Sequence, residues 1–242
     1  MKLALSTLLL LFIHKAAFAY QINVSELVAY QLGQQQIAQL MQKIYAPLDI
    51  TPTLVVLPSE RGLEYVDQGF YDAEAGRTSA IANAYPNLLQ IPEPLVTVQM
   101  AVFCLKKEHC TLSTQQDYVV IQGSLITEQV CQRKKLTCNA VSNDVSAFQA
   151  LEKGHVEQIL ADDLFALGAL CQSGLAAVYV RRLRDASYPI YHYINRKHQD
   201  LLPKLTASIK QLNSSGERDI IFSKLSGHFA TCHGKVIELE MH

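Results

Sequence analysis

The chain has 242 residues, room for one large or two small globular domains, and its 49% hydrophobic against 18% charged residues gives it a core and excludes wholesale disorder. Lys plus Arg numbers 21 against 22 for Asp plus Glu, a formal net charge of −1 that leaves no basic footprint for nucleic acid or for an acidic membrane face. Six cysteines without a C-x-x-C pair, no Trp and 11 Gly exclude a zinc ribbon and Gly-rich low-complexity sequence. The N-terminus reads as an export signal: Met1-Lys2, a run from Leu3 to Ile13, then Ala17-Phe18-Ala19 as the cleavage site. The run is shorter than the roughly 20 apolar residues of a membrane span, so the expected product is an exported, periplasmic chain beginning at Tyr20, with no membrane insertion after cleavage.

In chain order, Ile37, Leu40, Met41 and Ile44 mark one helical face. Leu54 to Leu57 is a strand stopped by Pro58, and Ser59 is placed to cap a helix over Glu60 to Gln68 that ends at Gly69. Leu88 to Ile91 and Val96 to Cys104 read as two strands broken by Pro92-Glu93-Pro94, followed by a polar stretch from Lys106 to Gln116. Tyr118 to Ile121 is a strand, Gln122-Gly123-Ser124 a turn and Leu125 to Gln132 a helix. Leu136 to Val141 is the next strand, and a helix from Val145 to Lys153 closes at Gly154. A strand from Val156 to Leu160, a helix from Asp162 to Cys171 and a strand from Ala176 to Val180 continue the alternation, and a longer helix spans Arg196 to Leu212. Such alternation predicts an α/β protein with mainly parallel strands. The economical plan is two lobes: a discontinuous first lobe from residues 20–105 and 186–242, and an inserted second lobe over 106–185, after a signal peptide over 1–19.

In an oxidising compartment the cysteines favour disulfides. The short intervals Cys104–Cys110 and Cys131–Cys138 suit loop staples, although six cysteines allow 15 connectivities. Metal binding by His109-Cys110 with Cys232-His233 fits no zinc template.

Four segments carry a family likeness. They are Leu57-Pro58-Ser59-Glu60-Arg61-Gly62 leading to Gly69 through Arg77, and Tyr85-Pro86-Asn87-Leu88 leading to Pro92-Glu93-Pro94. The others are Val119 to Ser124 leading to Leu160-Ala161-Asp162, and Tyr191 to His198 leading to Leu202-Pro203. In this order they resemble the bacterial extracellular solute-binding proteins of family 3, the polar amino-acid-binding type, and its short stand-alone members. The resemblance implies a two-lobed periplasmic-binding-protein-like fold with ligand in the cleft and no cofactor. It also implies lobe closure, and docking on an inner-membrane permease or a sensor receptor.

The resemblance places Arg77 at the ligand-carboxylate arginine and Asp162 at the ammonium-binding aspartate, with Asp163 one residue on. Guanidinium and carboxylate suit those two partners through charge-assisted hydrogen bonds. Arg77 has a second option, pairing with Glu74 in its own lobe, and Asp162 a second role as helix N-cap. Arg61 is a further cleft candidate. Gln122, Gly123 and Ser124 lie between a strand and a helix start, where free backbone N–H groups hold an anion. Tyr20 to Gln31 lacks the family's aromatic-Pro-Pro-Tyr-like cover, so the stacking wall is absent or supplied by Tyr71 or Tyr85. Two other readings compete: an enzyme on the same scaffold, of the dehydratase kind, with Glu74 and His155 or His192 as acid and base, or a degenerate binding fold serving as an interaction module.

Overall fold

The computed structural model describes residues 19–164, 166–221 and 235–241, with the side chains of Leu167 and Cys171 set aside. Residues 1–18 of the expected signal peptide, Cys232 and His233 lie outside the described residues. Among the described residues no helix is long and apolar enough to cross a membrane.

The first lobe opens with strand β1 (Tyr20–Ser25), helix α1 (Glu26–Leu32) and helix α2 (Gln34–Tyr45), then β2 (Pro52–Leu57), α3 (Ser59–Asp67) and β3 (Ala73–Arg77). β1 pairs in parallel with β2 on one side and β3 on the other. The α2 face foreseen from spacing is the buried one: Ile37, Leu40, Met41 and Ile44 join Ile22, Val24 and Ile91 in a single core. Ser59 does not cap α3 but occupies its first turn, behind Pro58, and its side chain serves Arg77 instead.

Two strands then run the length of the molecule. β4 (Leu88–Cys104) and β8 (Ala177–Asn195) pair antiparallel along most of their lengths. β4 passes through Pro92 and Pro94 without a break. Register shifts between Gln90 and Pro94 and between Pro94 and Val96 skip Pro92 and leave Pro94 opposite Tyr191 between two irregularities, where a residue without an N–H is tolerated. β8 likewise continues past Val180, the end expected from sequence, through the charged stretch Arg181–Asp185.

The second lobe holds β5 (Asp117–Ile121), α4 (Leu125–Lys134), β6 (Thr137–Val141), α5 (Asp144–Glu152), β7 (Gln158–Asp162) and α6 (Ala166–Ser173). β5 pairs in parallel with β6 and β7, and β7 pairs antiparallel with β4 over Met100–Cys104. After β8 come a 3-10 turn (Arg196–Leu201), α7 (Leu202–Ser214) and β9 (Lys235–Leu239). The strand order is β2-β1-β3-β8-β4-β7-β5-β6, with β9 on the free side of β8.

The sequence reading set the inserted lobe at residues 106–185 and gave 186–242 to the first lobe. In the structure Met100–Cys104 already lie against β7, and β9 pairs with β8 at Ala177–Arg181, on the second-lobe side. The helix expected from Arg196 starts as a 3-10 turn because His198 departs from helical geometry. Cys104–Cys110 and Cys131–Cys138 are disulfides with Cα separations of 5.5 and 6.3 Å, both stapling loops of the second lobe.

Candidate functional site

Arg77 ends β3 at the edge of the first lobe, and its guanidinium is anchored from behind. Nε lies 2.9 Å from Glu74 Oε1, Nη1 donates to Ser59 Oγ at 2.9 Å, and Nη2 points to the Ser59 carbonyl at 3.5 Å. Glu74 is 1% exposed, and its other oxygen accepts from Asn23 Nδ2. Burial raises the Glu74 pKa, opposed by the Arg77 charge and the Asn23 and Arg77 hydrogen bonds. Gly62 makes room for this cluster: a Cβ there would stand 2.2 Å from Asn23 Nδ2. Arg77 thus pairs with Glu74 in its own lobe and also lines the cleft.

Across the cleft, β5 ends in a turn whose Gly123 has φ +81°, a conformation suited to glycine. Ser124 stands at the N-cap of α4, but its hydroxyl bonds Thr127 Oγ1 at 2.7 Å rather than a backbone N–H. Asp162 is the last residue of β7, opposite Met100, and is 8% exposed. The expectation that it starts a helix is corrected: β7 runs through it and α6 begins at Ala166. Asp163 faces elsewhere, accepting from the Gln99 N–H at 3.0 Å and pairing with Arg182 Nε at 2.7 Å.

Between the lobes lies a cavity of about 120 Å³. Of the residues singled out from sequence, Arg77, Gly123, Ser124 and Asp162 line it. Glu74 sits behind Arg77, while Arg61 and Gln122 are not in the lining; the Gln122 N–H is spent on the Val141 carbonyl at 2.9 Å. Tyr71 and Tyr85 pack with Leu63, Val66 and Tyr193 in a first-lobe cluster, and neither lines the cavity.

The sequence reading missed α1 altogether. Leu27, Val28, Gln31 and Leu32 line the cavity, Leu27 also packs on the second-lobe core, and Gln31 Nε2 donates to Asp144 Oδ2 at 2.7 Å. This is a contact from one lobe to the other. Asp144 is buried at the start of α5, and burial raises its pKa against the Gln31 hydrogen bond. The signal for α1 was present: Ser25 is its N-cap, accepting from the Val28 N–H, and Glu26 favours the first turn.

Neither of the two histidines considered as acid or base lines the cavity. His192 is fully buried in the first lobe, Nε2 2.7 Å from the Tyr45 hydroxyl and Nδ1 3.3 Å from the Ala75 carbonyl, and burial pushes its pKa down to about 4. His155 lines a polar groove with Gln116, Asp117 and Glu157, beside the starts of β5 and β7. Among the described residues no group of three or more His, Cys, Asp or Glu is arranged to hold a metal ion.

No family model and no curated protein matches the sequence. Solved structures match over nearly the whole chain. The ligand-binding core of GluR0 in complex with L-glutamate is 13% identical, covers 87% of this chain and 99% of its own, and superposes with a TM-score of 0.72. The fold is that of the two-lobed periplasmic binding proteins. An ancestral arginine-binding protein bound to glutamine shares this binding-protein fold at 17% identity (86% of this chain, 98% of its own, TM-score 0.66). So does the periplasmic VFT2 domain of Bordetella pertussis BvgS, at 13% (86% and 93%, TM-score 0.66). In a binding-protein fold, Arg77 and Asp162 come from opposite lobes to one cleft at strand ends, where open α/β sheets receive ligands.

Proposed function

We propose that the chain is an exported, periplasmic solute-binding protein of the family 3 type. It holds a small amino acid or carboxylate between its lobes and delivers it to a permease or a sensor receptor, without catalysis. The observation that carries this reading is the single cavity lined by Arg77 from the first lobe and by Gly123, Ser124 and Asp162 from the second. A carboxylate is served by Arg77 and by the N–H groups opening α4, and an ammonium by Asp162. One zwitterion engaging all three favours the closed state, because it reaches both lobes only there. Two disulfides support an oxidising compartment.

The test is a thermal-shift screen of amino acids and small carboxylates on the mature chain. A ligand at 100 times its Kd adds about 2.7 kcal/mol of stability and raises Tm accordingly. For the ligand found, Asp162→Ala and the double variant Arg77→Gln, Glu74→Gln should each weaken binding about 10- to 150-fold. The double variant avoids leaving Glu74 buried without its counter-charge. Unchanged affinity in both proteins rules this site out.

A further inference from the structure

The β4–β8 ribbon is fastened unequally along its length. On the first-lobe side β3 pairs with β8 as far as Tyr191, opposite Arg77. There α7 also holds β4 through Asn213, whose Nδ2 donates to the Pro94 carbonyl at 3.0 Å and to Glu93 Oε1 at 2.9 Å. On the second-lobe side β7 joins β4 from Met100 onwards, and β9 pairs with β8 at Arg181 and before it. Between these limits residues 96–99 of β4 face residues 187–190 of β8, and among the described residues no third strand pairs with them. A block of two strands is the least supported stretch of a sheet, so movement between the lobes falls to it. Irregularities bound it at both ends. Leu95 is skipped between Pro94 and Val96, and Met100 with residues 183–186 is skipped between the Gln99–Ser187 and Ala101–Arg182 pairs.

The two ends differ in what holds them. At the second-lobe end Asp163, directly after β7, binds Gln99 twice: its N–H donates to the Gln99 carbonyl at 2.8 Å, and its Oδ1 accepts from the Gln99 N–H at 3.0 Å. Its Oδ2 takes Arg182 Nε at 2.7 Å, and Arg182 Nη1 lies 3.0 Å from Glu238 Oε2 of β9. Gln99 Nε2 donates to the Leu183 carbonyl at 2.9 Å, and the skipped Leu183 and Ala186 are buried with Met100 and Tyr118 in the second-lobe core. The first-lobe end has apolar side chains instead: Leu95, Val96 and Ile190 line the cavity, beside a Pro94 that has no N–H. We infer that the two-stranded block moves with the second lobe as one body, bolted to it by Asp163, and that the lobes pivot between the Pro94–Tyr191 and Val96–Ile190 pairs, in the wall of the cavity. Asp163 is then a positioning residue, keeping the crossing strand in fixed relation to its neighbour Asp162 in the cavity lining. This goes beyond the solute-binding reading and holds for any solute.

Native-state hydrogen exchange, read residue by residue by NMR on the solute-free mature chain, tests it apart from that reading. The Gln99 N–H is turned to Asp163, so by the alternation of an antiparallel pair Val98 and Val96 turn theirs to β8. After correction for intrinsic rates, Val96 and Ile190 should exchange at least about tenfold faster than Gln99 and Asp163. Asp163→Asn makes the acceptor neutral and sets a donor against Arg182. It should speed exchange at Gln99 about tenfold, with Ile22 of β1 and Leu40 of α2 kept at the parent's rates. Arg182→Gln, which leaves both backbone contacts of Asp163 in place, should act at Gln99 in the same direction, and it carries the test if Asp163→Asn does not fold. Exchange at Gln99 as fast as at Val96 in the parent would move the pivot to the second-lobe end and overturn the inference. So would an unchanged Gln99 in the folded variants, or a rise spread evenly over both lobes, which would make Asp163 a matter of general stability.

Discussion

Buried polar residues of the first lobe are arranged to keep one charge presentable and another absent. Arg77 can face the cleft because Glu74, Asn23 and Ser59 fix it from behind, and Gly62 lets α3 come close enough for that. His192 is the opposite case. Held neutral by burial against Tyr45, it has a folded pKa of about 4 against the usual 6.5. Below pH 6.5 the unfolded chain takes up a proton that the folded chain refuses, so stability falls as pH drops from 6.5 towards 4. The loss approaches 1.4 kcal/mol per pH unit at its steepest and amounts to roughly 3 kcal/mol in all. Above pH 6.5 neither state binds the proton and the group adds no slope. Glu74 and Asp144, whose pKa values burial raises, act in the other direction and are common to parent and variant. In urea titrations at pH 7.5, 6 and 4.5, His192→Gln should lack the parent's extra acid loss. Parallel curves for the two proteins would mean that the imidazole takes its proton in place.

Helix α1 is the element that most changes the reading of the cleft. Its Gln31–Asp144 hydrogen bond joins the lobes, and such a bond to a carboxylate is worth about 1.5–3 kcal/mol. Gln31→Ala should therefore shift the ligand-free protein towards an open form, seen as a larger radius of gyration in small-angle scattering. An unchanged radius without ligand would count against α1 as a bridge. The elements that were legible in sequence, α2 and the alternating units of the second lobe, bury one periodic face or one apolar run. Those that were not legible owe their form to distant partners. β1 reads as polar because Asn23 sits inside the core to hold Glu74. Pro92 and Pro94 look like a strand break, yet register shifts carry β4 through them. Charged residues hide β8, whose Arg182 pairs with Asp163 and with Glu238 of the last strand. Among the residues that line the cavity, Gly123 and Ser124 are legible in sequence as a strand-to-helix turn, and Arg77 and Asp162 only through the family resemblance. The α1 residues of the lining are not legible, since nothing in the sequence of α1 says which neighbour it will cover.

At the scale of the molecule, β4 and β8 make one antiparallel ribbon of 17 and 19 residues that crosses between the lobes, with register shifts around Pro94 and between Gln99 and Ala101. Opening the cleft therefore twists a continuous ladder rather than swinging a loop. Against that ribbon works α1, which rests Leu27 on the core of the opposite lobe. To open further is to uncover Leu27 and give up the Gln31 bond, so both contacts favour the closer arrangement of the lobes. A solute then waits for the door: only the briefly opened fraction is competent, and the apparent Kd rises by the inverse of that fraction. In rapid-mixing experiments the capture rate should level off as solute concentration rises, at the rate of opening itself, and Gln31→Ala should lift the plateau. A rate climbing in proportion to concentration throughout would mean a cleft already open at rest. Speed of uptake and firmness of hold would thus be set by one helix, through how long it stays on its neighbour.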